Sequence, residues 1–215
     1  MHSRLLVSAA MAASVFATPG LQTSDSVPII PDHALFQLTG RRADNSLEYS
    51  PITAGGRTLV ANYAADFIND TCDSPDTPGW YTATLFLDNG TLNLYTPSNI
   101  SQRFYTHELY GTPQFVTLPD EEDLVRDEAL LSHGWELVPT VEGSELELMF
   151  KGFETFACSN ISVSDDTWDY YPFFVAMDTG SGSDWPDMEY CRLFSVYASA
   201  VANEPHACTY STSPP

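Results

Sequence analysis

Residues Tyr81-Thr82-Ala83-Thr84-Leu85-Phe86-Leu87-Asp88-Asn89-Gly90-Thr91-Leu92-Asn93-Leu94-Tyr95 (YTATLFLDNGTLNLY) carry the clearest fold signal in the chain. Two runs, Tyr81 to Leu87 and Leu92 to Tyr95, flank an Asn-Gly centre. A two-residue type I′ turn needs positive φ at both central positions, which Asn and Gly tolerate, so this is the strongest short-range signal for a β-hairpin. Pairing Asp88 with Thr91 places Leu87 opposite Leu92 and Leu85 opposite Leu94. All four leucines then share one face, as a half-buried antiparallel pair requires.

The same grammar recurs on both sides of the hairpin. Glu145 to Phe150 alternates charged and apolar residues, Lys151-Gly152 can turn the chain, and Phe153 to Cys158 runs back. Further strand-like runs are Ala34 to Leu38, Leu47 to Ile52, Thr58 to Tyr63, Gln114 to Leu118, Trp135 to Val138, Tyr171 to Met177 and Tyr190 to Ala198. About a dozen short strands with frequent turns predict an all-β chain, a single compact antiparallel domain built as a barrel, a trefoil-like barrel or a sandwich. One stretch departs from the pattern. Pro119-Asp120-Glu121-Glu122-Asp123 supplies an Asp N-cap and acids for a first turn, apolar residues follow at 124, 130 and 131, and Gly134 can stop the helix. The expectation is one short surface helix near 121 to 132.

The N-terminus reads as an address. Met1 to Ala17 combines His2 and Arg4 with an Ala-rich apolar run from Leu5 to Phe16 and a Val15-Phe16-Ala17 step, the features of a secretory signal with a small-residue cleavage site. The apolar run is too short to span a bilayer. Residues 1–17 are therefore expected as a signal peptide, 18–31 as a flexible N-terminal segment, 32–210 as one all-β domain and 211–215 as a tail. No apolar stretch follows Cys208, so a C-terminal lipid anchor is not expected either.

Secretion predicts covalent chemistry of the oxidising compartments. The four cysteines, Cys72, Cys158, Cys191 and Cys208, show no metal-ligand spacing, and an even number outside the cytosol reads as two disulfides. Three connectivities are open. Cys158 with Cys191 and Cys72 with Cys208 is the favoured one, because Cys158 and Cys191 sit in neighbouring strand-like segments. Four Asn-x-Ser/Thr triplets, at Asn69, Asn89, Asn99 and Asn160, predict N-glycosylation on exposed loops, with Asn89 at a hairpin tip.

Charge narrows the partners. The 215 residues carry 29 acidic and 8 basic side chains, a formal charge of −21, and loss of Arg4 with the signal lowers it by one more. Such a surface repels nucleic-acid phosphates and anionic lipid headgroups, so neither is an expected partner. With a sequence pI near 4.1, self-repulsion falls as pH approaches 4, which suits an acidic environment. At 43% hydrophobic and 13% aromatic the chain is nonetheless globular.

Catalytic motifs are sparse. Val175-Ala176-Met177-Asp178-Thr179-Gly180-Ser181 resembles the active-site segment of pepsin-like aspartic peptidases, whose Asp shares a proton with a second carboxylate. No second Asp-Thr-Gly or Asp-Ser-Gly is present, and Asp178 to Pro186 reads instead as a connection between strands. The chain has no Gly-x-Ser-x-Gly elbow and no His-Glu-x-x-His helix, and His33, His107, His133 and His206 are scattered. Asp120-Glu121-Glu122-Asp123 lacks the alternating ligands of a calcium loop. No cofactor, metal site or catalytic residue is assigned. Aromatic residues crowd the stretch from Trp168 to Tyr190, and aromatic faces are what sugar rings stack on. Phe173 and Phe174 read as core residues, whereas Trp168 and Trp185, beside acidic loop residues, are the candidates for a ligand-facing role.

The pieces Phe36-Gln37-Leu38, LEYSPITAGG (47–56), GTLNLY (90–95), Phe156-Ala157-Cys158, Tyr171 to Val175, YCRLFSVYA (190–198) and Cys208 to Ser211 resemble fungal secreted cell-wall proteins of the PhiA type. The resemblance spans most of the chain after the signal. It implies a non-enzymatic secreted or surface-associated protein, whose partners are wall polysaccharide or other wall proteins. A lectin-like carbohydrate-binding module is the second reading and an acid-active hydrolase the third.

Overall fold

The computed structural model describes residues 28–42, 50–61, 71–73, 82–107, 113–118, 130–159, 173–177, 190–201, 205 and 207–211. In chain order the strands are β1 (Phe36–Arg42), β2 (Ser50–Gly55), β3 (Thr58–Ala61), β4 (Thr71–Cys72), β5 (Thr84–Asp88), β6 (Thr91–Leu94), β7 (Ser101–His107) and β8 (Pro113–Leu118). They continue with β9 (Leu130–Leu131), β10 (Trp135–Pro139), β11 (Leu146–Phe150), β12 (Thr155–Cys158), β13 (Phe173–Met177), β14 (Cys191–Ala200) and β15 (Cys208–Thr209).

Six of these strands close on themselves. The order β1-β2-β3-β13-β12-β14 returns to β1, every neighbour antiparallel, and closure leaves no open edge within the ring. The central ribbon is β1 with β14, paired from Phe36↔Ala200 to Arg42↔Phe194. This ribbon is longer than the barrel needs. At its far end β1 turns its other edge to β5, through Phe36 and Gln37, and β14 turns its other edge to β11, through Tyr197 and Ala198. A second sheet therefore grows from the same two strands, β10-β11-β14 on one side and β1-β5-β6-β7-β8 on the other. The short β15-β4 pair stands apart, and β9 adds to β7.

Side-chain alternation supplies the core. In β11, Leu146, Leu148 and Phe150 are buried while Glu147 and Met149 are only half-buried. Leu85, Leu87, Leu92 and Leu94 of the β5–β6 hairpin are all buried, in the predicted register Leu85↔Leu94, Leu87↔Leu92 and Asp88↔Thr91. Asn89 and Gly90 have φ of 49° and 78°, as a type I′ turn demands. The Gly56-Arg57 and Lys151-Gly152 turns repeat positive φ at both central residues. Around the hairpin, Phe104 meets Phe115 and Trp135 edge-on at 5.5 and 6.4 Å, and Trp135 meets Phe150 at 5.1 Å. Each such buried aromatic side chain contributes roughly 1.5–3 kcal/mol through burial, and edge-to-face contact adds to it.

One expectation is corrected. Leu130 and Leu131, assigned from sequence to the end of a helix near 121 to 132, are strand β9, paired with His107 and Thr106. Cross-strand hydrogen bonds to an existing sheet outweigh a local helical preference worth only tenths of a kcal/mol per residue. Among the described residues no helix is present, and 119–129 lie outside them. Strand β7 is a further element, with no strand-like alternation in its sequence. Its inward residues are Gln102, Phe104 and Thr106, so the buried face is two-thirds polar and shows no apolar alternation. Gln102 is satisfied there because its amide donates to Tyr210 O at 2.7 Å and to Thr117 Oγ1 at 3.0 Å, and accepts from Tyr210 N at 3.0 Å.

Of the four cysteines, Cys72 bonds Cys208 and Cys158 bonds Cys191. Each pair is directly opposite in register on adjacent antiparallel strands. Outside the barrel wall, Cys158, Ala176 and Cys191 form a second small buried cluster with half-buried Phe156, Phe174 and Tyr190 against it. Within the segment expected to be loose, Ile30 is half-buried against the main core, and the neighbouring His33 N–H donates to Leu87 O at 2.8 Å.

Candidate functional site

The shared ribbon dictates where a cleft can form. β14 pairs with β12 through Cys191, Arg192 and Leu193 and with β11 through Tyr197 and Ala198, so residues 194–196 face a gap on that edge. The hydroxyl of Thr155, the residue before Phe156, donates to Phe194 O and supplies the hydrogen bond that the interrupted ladder does not. Where the two partner strands diverge, the outer face of β14 is left with a notch.

Among the described residues the notch is lined by Arg41, Leu193, Ser195 and Tyr197, and its volume is about 180 Å³. Strand geometry explains the set. Leu193, Ser195 and Tyr197 alternate with inward Phe194 and Val196 and so share the outer face. Arg41 is directly opposite Ser195 on β1, and Thr39 is opposite Tyr197. Leu193 is 42% exposed although apolar. Arg41 is half-buried and, among the described residues, its guanidinium forms no ion pair or hydrogen bond, in a protein with an acidic surplus of 21 charges. Glu147, opposite Tyr197 on β11, occupies the same outward face on the side away from β1. The arrangement offers a planar cation with several donors, a hydroxyl, a phenol ring and an apolar floor. Those are binding groups.

Sequence reasoning did not single out these four residues. Their types are unremarkable in isolation, and only the pairing of β1 with β14 sets Arg41 beside Ser195 and Tyr197. A faint signal was available in the outward Leu-x-Ser-x-Tyr of the last long strand, where two polar or amphipathic residues follow an exposed leucine.

The residues proposed from sequence are distributed otherwise. Trp168 and Trp185 lie outside the described residues, as do Asn69, Asn160, His206 and the Asp178 to Pro186 segment. Asn89 and Asn99 are exposed, Asn89 at the β5–β6 turn and Asn99 in the turn closed by Ile100 N to Pro97 O at 2.8 Å. His33 is exposed, 3.7 Å from Asp88 Oδ1. His133 is exposed too, and its Nδ1 is 2.7 Å from Ser132 Oγ, its neighbour in the chain. Among the described residues no carboxylate bonds His133, so the contact lacks the third group that orients a catalytic base.

Comparison with known proteins identifies the chain at the level of family. No curated protein and no solved structure matches it. The family described as PhiA-like secreted protein matches residues 36–211, from the first residue of β1 to just beyond β15. A match of that extent takes in every described strand and both disulfides, and the chain therefore belongs to the PhiA-like secreted protein family.

Proposed function

We propose that this protein is a non-enzymatic component of a fungal cell wall or its secretome, acting by binding wall polysaccharide or other wall proteins. Membership of a secreted family over residues 36–211 is the observation that carries the reading. The fold supports it. Two disulfides cross-link the barrel and its C-terminal segment, which suits persistence outside the cell. Glycans at Asn69, Asn89, Asn99 and Asn160 belong to the same proposal, and the exposure of Asn89 and Asn99 supports it at those two positions.

The experiment is fractionation of the producing cells. Retention of the protein by isolated walls after a salt wash, with release by polysaccharide-degrading enzymes, is the expected result. Recovery of the whole pool in the medium, with no retention by purified wall glycans, would overturn wall association. The second reading, a lectin-like module, assigns ligand contacts to Trp168 and Trp185, and their replacement by Ala would then abolish retention.

A further inference from the structure

We infer that the notch formed by Arg41, Leu193, Ser195 and Tyr197 is a subsite for a single carboxylated sugar ring, a hexuronate unit. The inference rests on the polysaccharide-binding function proposed above and names the chemistry of one subsite. Three observations carry it. The first is the unpaired cation: Arg41 is half-buried on β1, opposite Ser195, and among the described residues its guanidinium has no carboxylate partner. A guanidinium presents a fork of N–H donors that matches a carboxylate in geometry as well as charge, and a fork without a counter-ion on a half-buried residue is arranged for one. The chain has only 8 basic residues against 29 acidic ones, so a cation without a carboxylate partner is one of few places where the local charge favours an anion.

The second observation is the wall opposite the cation. Tyr197 lies two residues along β14 from Ser195 and contributes a ring to the lining, while Leu193 contributes an exposed apolar surface on the other side of Ser195. A pyranose has an apolar face of C–H groups that stacks on such a ring, and a polar rim that takes hydroxyl contacts. Ser195 supplies one between them. Carboxylate toward Arg41 and the apolar face on Tyr197 gives the ring one orientation.

The third is size. At about 180 Å³ the notch falls below the roughly 300–1,000 Å³ of pockets for drug-sized ligands, so it holds one ring rather than an oligosaccharide. The long polyanionic stretch of a fully charged polymer would be repelled by the rest of the surface. A chain bearing isolated or terminal uronate units fits better.

The test is titration of the intact mature protein, followed by amide and side-chain NMR, with glucuronate, glucose and acetate as separate probes. Glucuronate is expected to bind in the millimolar range and to shift the signals of Arg41, Ser195 and Tyr197. Glucose, which lacks the carboxylate, and acetate, which lacks the ring, should each bind about tenfold or more weakly. Arg41→Gln should remove the glucuronate response, Arg41→Lys should restore part of it, and Tyr197→Leu should weaken it with the fold intact by circular dichroism. Equal binding of glucose and glucuronate, or saturable shifts confined to residues elsewhere, would overturn the assignment without requiring any variant to fold. A protein retained by wall polysaccharide yet silent to glucuronate at the notch would overturn the subsite and leave wall binding standing. A protein that binds glucuronate at the notch but is not retained by walls would do the reverse.

Discussion

The ring of Phe194 lies directly over Gly40: a Cβ built on Gly40 would stand 1.8 Å from Cζ and 2.3 Å from Cε1 of that ring. The two residues are diagonal neighbours on the central ribbon, Gly40 opposite Val196 and Phe194 opposite Arg42. Gly40 is needed here for space rather than for its backbone freedom. Phe194 is fully buried, so its ring has nowhere to retreat, and the missing side chain of one strand is filled by the aromatic of the next.

Gly40→Ala should therefore act as an overpacking mutation at the ribbon that both sheets share. A loss of about 3 kcal/mol is expected, at the upper end of such substitutions. Urea unfolding measures it. In a Phe194→Leu background the same change should cost much less, and full additivity of the two substitutions would show that the ring is not what excludes the Cβ.

The two disulfides close loops of different length, with sequence separations of 33 for Cys158–Cys191 and 136 for Cys72–Cys208. In the chain-entropy account, stabilisation grows with the logarithm of loop length, to about 4 kcal/mol for the shorter and about 5 for the longer. Paired Cys→Ser variants should both lower the melting temperature, the Cys72/Cys208 variant by more. An opposite order in thermal melts would mean that native-state contacts around Cys158 and Cys191 dominate.

Gln102 exchanges two hydrogen bonds with the backbone of Tyr210 and so does for the C-terminal segment what a neighbouring strand would do. Gln102→Leu removes these bonds from a buried site and should cost about 2–3 kcal/mol. Hydrogen exchange should quicken selectively at residues 207–211. Uniform acceleration across β7 and the C-terminal segment alike would point to global destabilisation instead.

Thr106 is buried and, among the described residues, its hydroxyl has no hydrogen-bond partner, as is also true of buried Thr53. Thr106→Val keeps the shape and removes the unsatisfied hydroxyl, so stability should rise by about 1 kcal/mol. In a domain of this size that corresponds to roughly 2–4 °C in Tm. A lowered Tm would reveal an acceptor, such as an internal water, at Thr106 Oγ1.

Local chemistry made the hairpin from Tyr81 to Tyr95 legible, down to its register, because Asn89-Gly90 selects one turn type and a slip of one residue would expose all four leucines. The alternation of Leu146 to Phe150 and the turn at Lys151-Gly152 were legible for the same reason. β7 was not, since its buried face is Gln102, Phe104 and Thr106 and only the distant Tyr210 makes Gln102 tolerable inside. Leu130 and Leu131 were read as helical because their capping and spacing are local, whereas the edge of β7 that captures them is a long-range feature.

By itself the sequence determined the class of the protein: an all-β chain, four cysteines suited to disulfides, a strongly negative surface and the motifs of a secreted family. These follow from periodicity, turn residues and composition, which act over a few neighbours along the chain. The tertiary structure alone decided that β1 and β14 close a six-stranded barrel and then outgrow it, and that Arg41, Ser195 and Tyr197 share one notch. The reason is separation in sequence. Arg41 and Ser195 are more than 150 positions apart, and no local preference specifies which strands pair until burial of Phe36, Leu38, Phe194 and Val196 brings the two ends of the chain together.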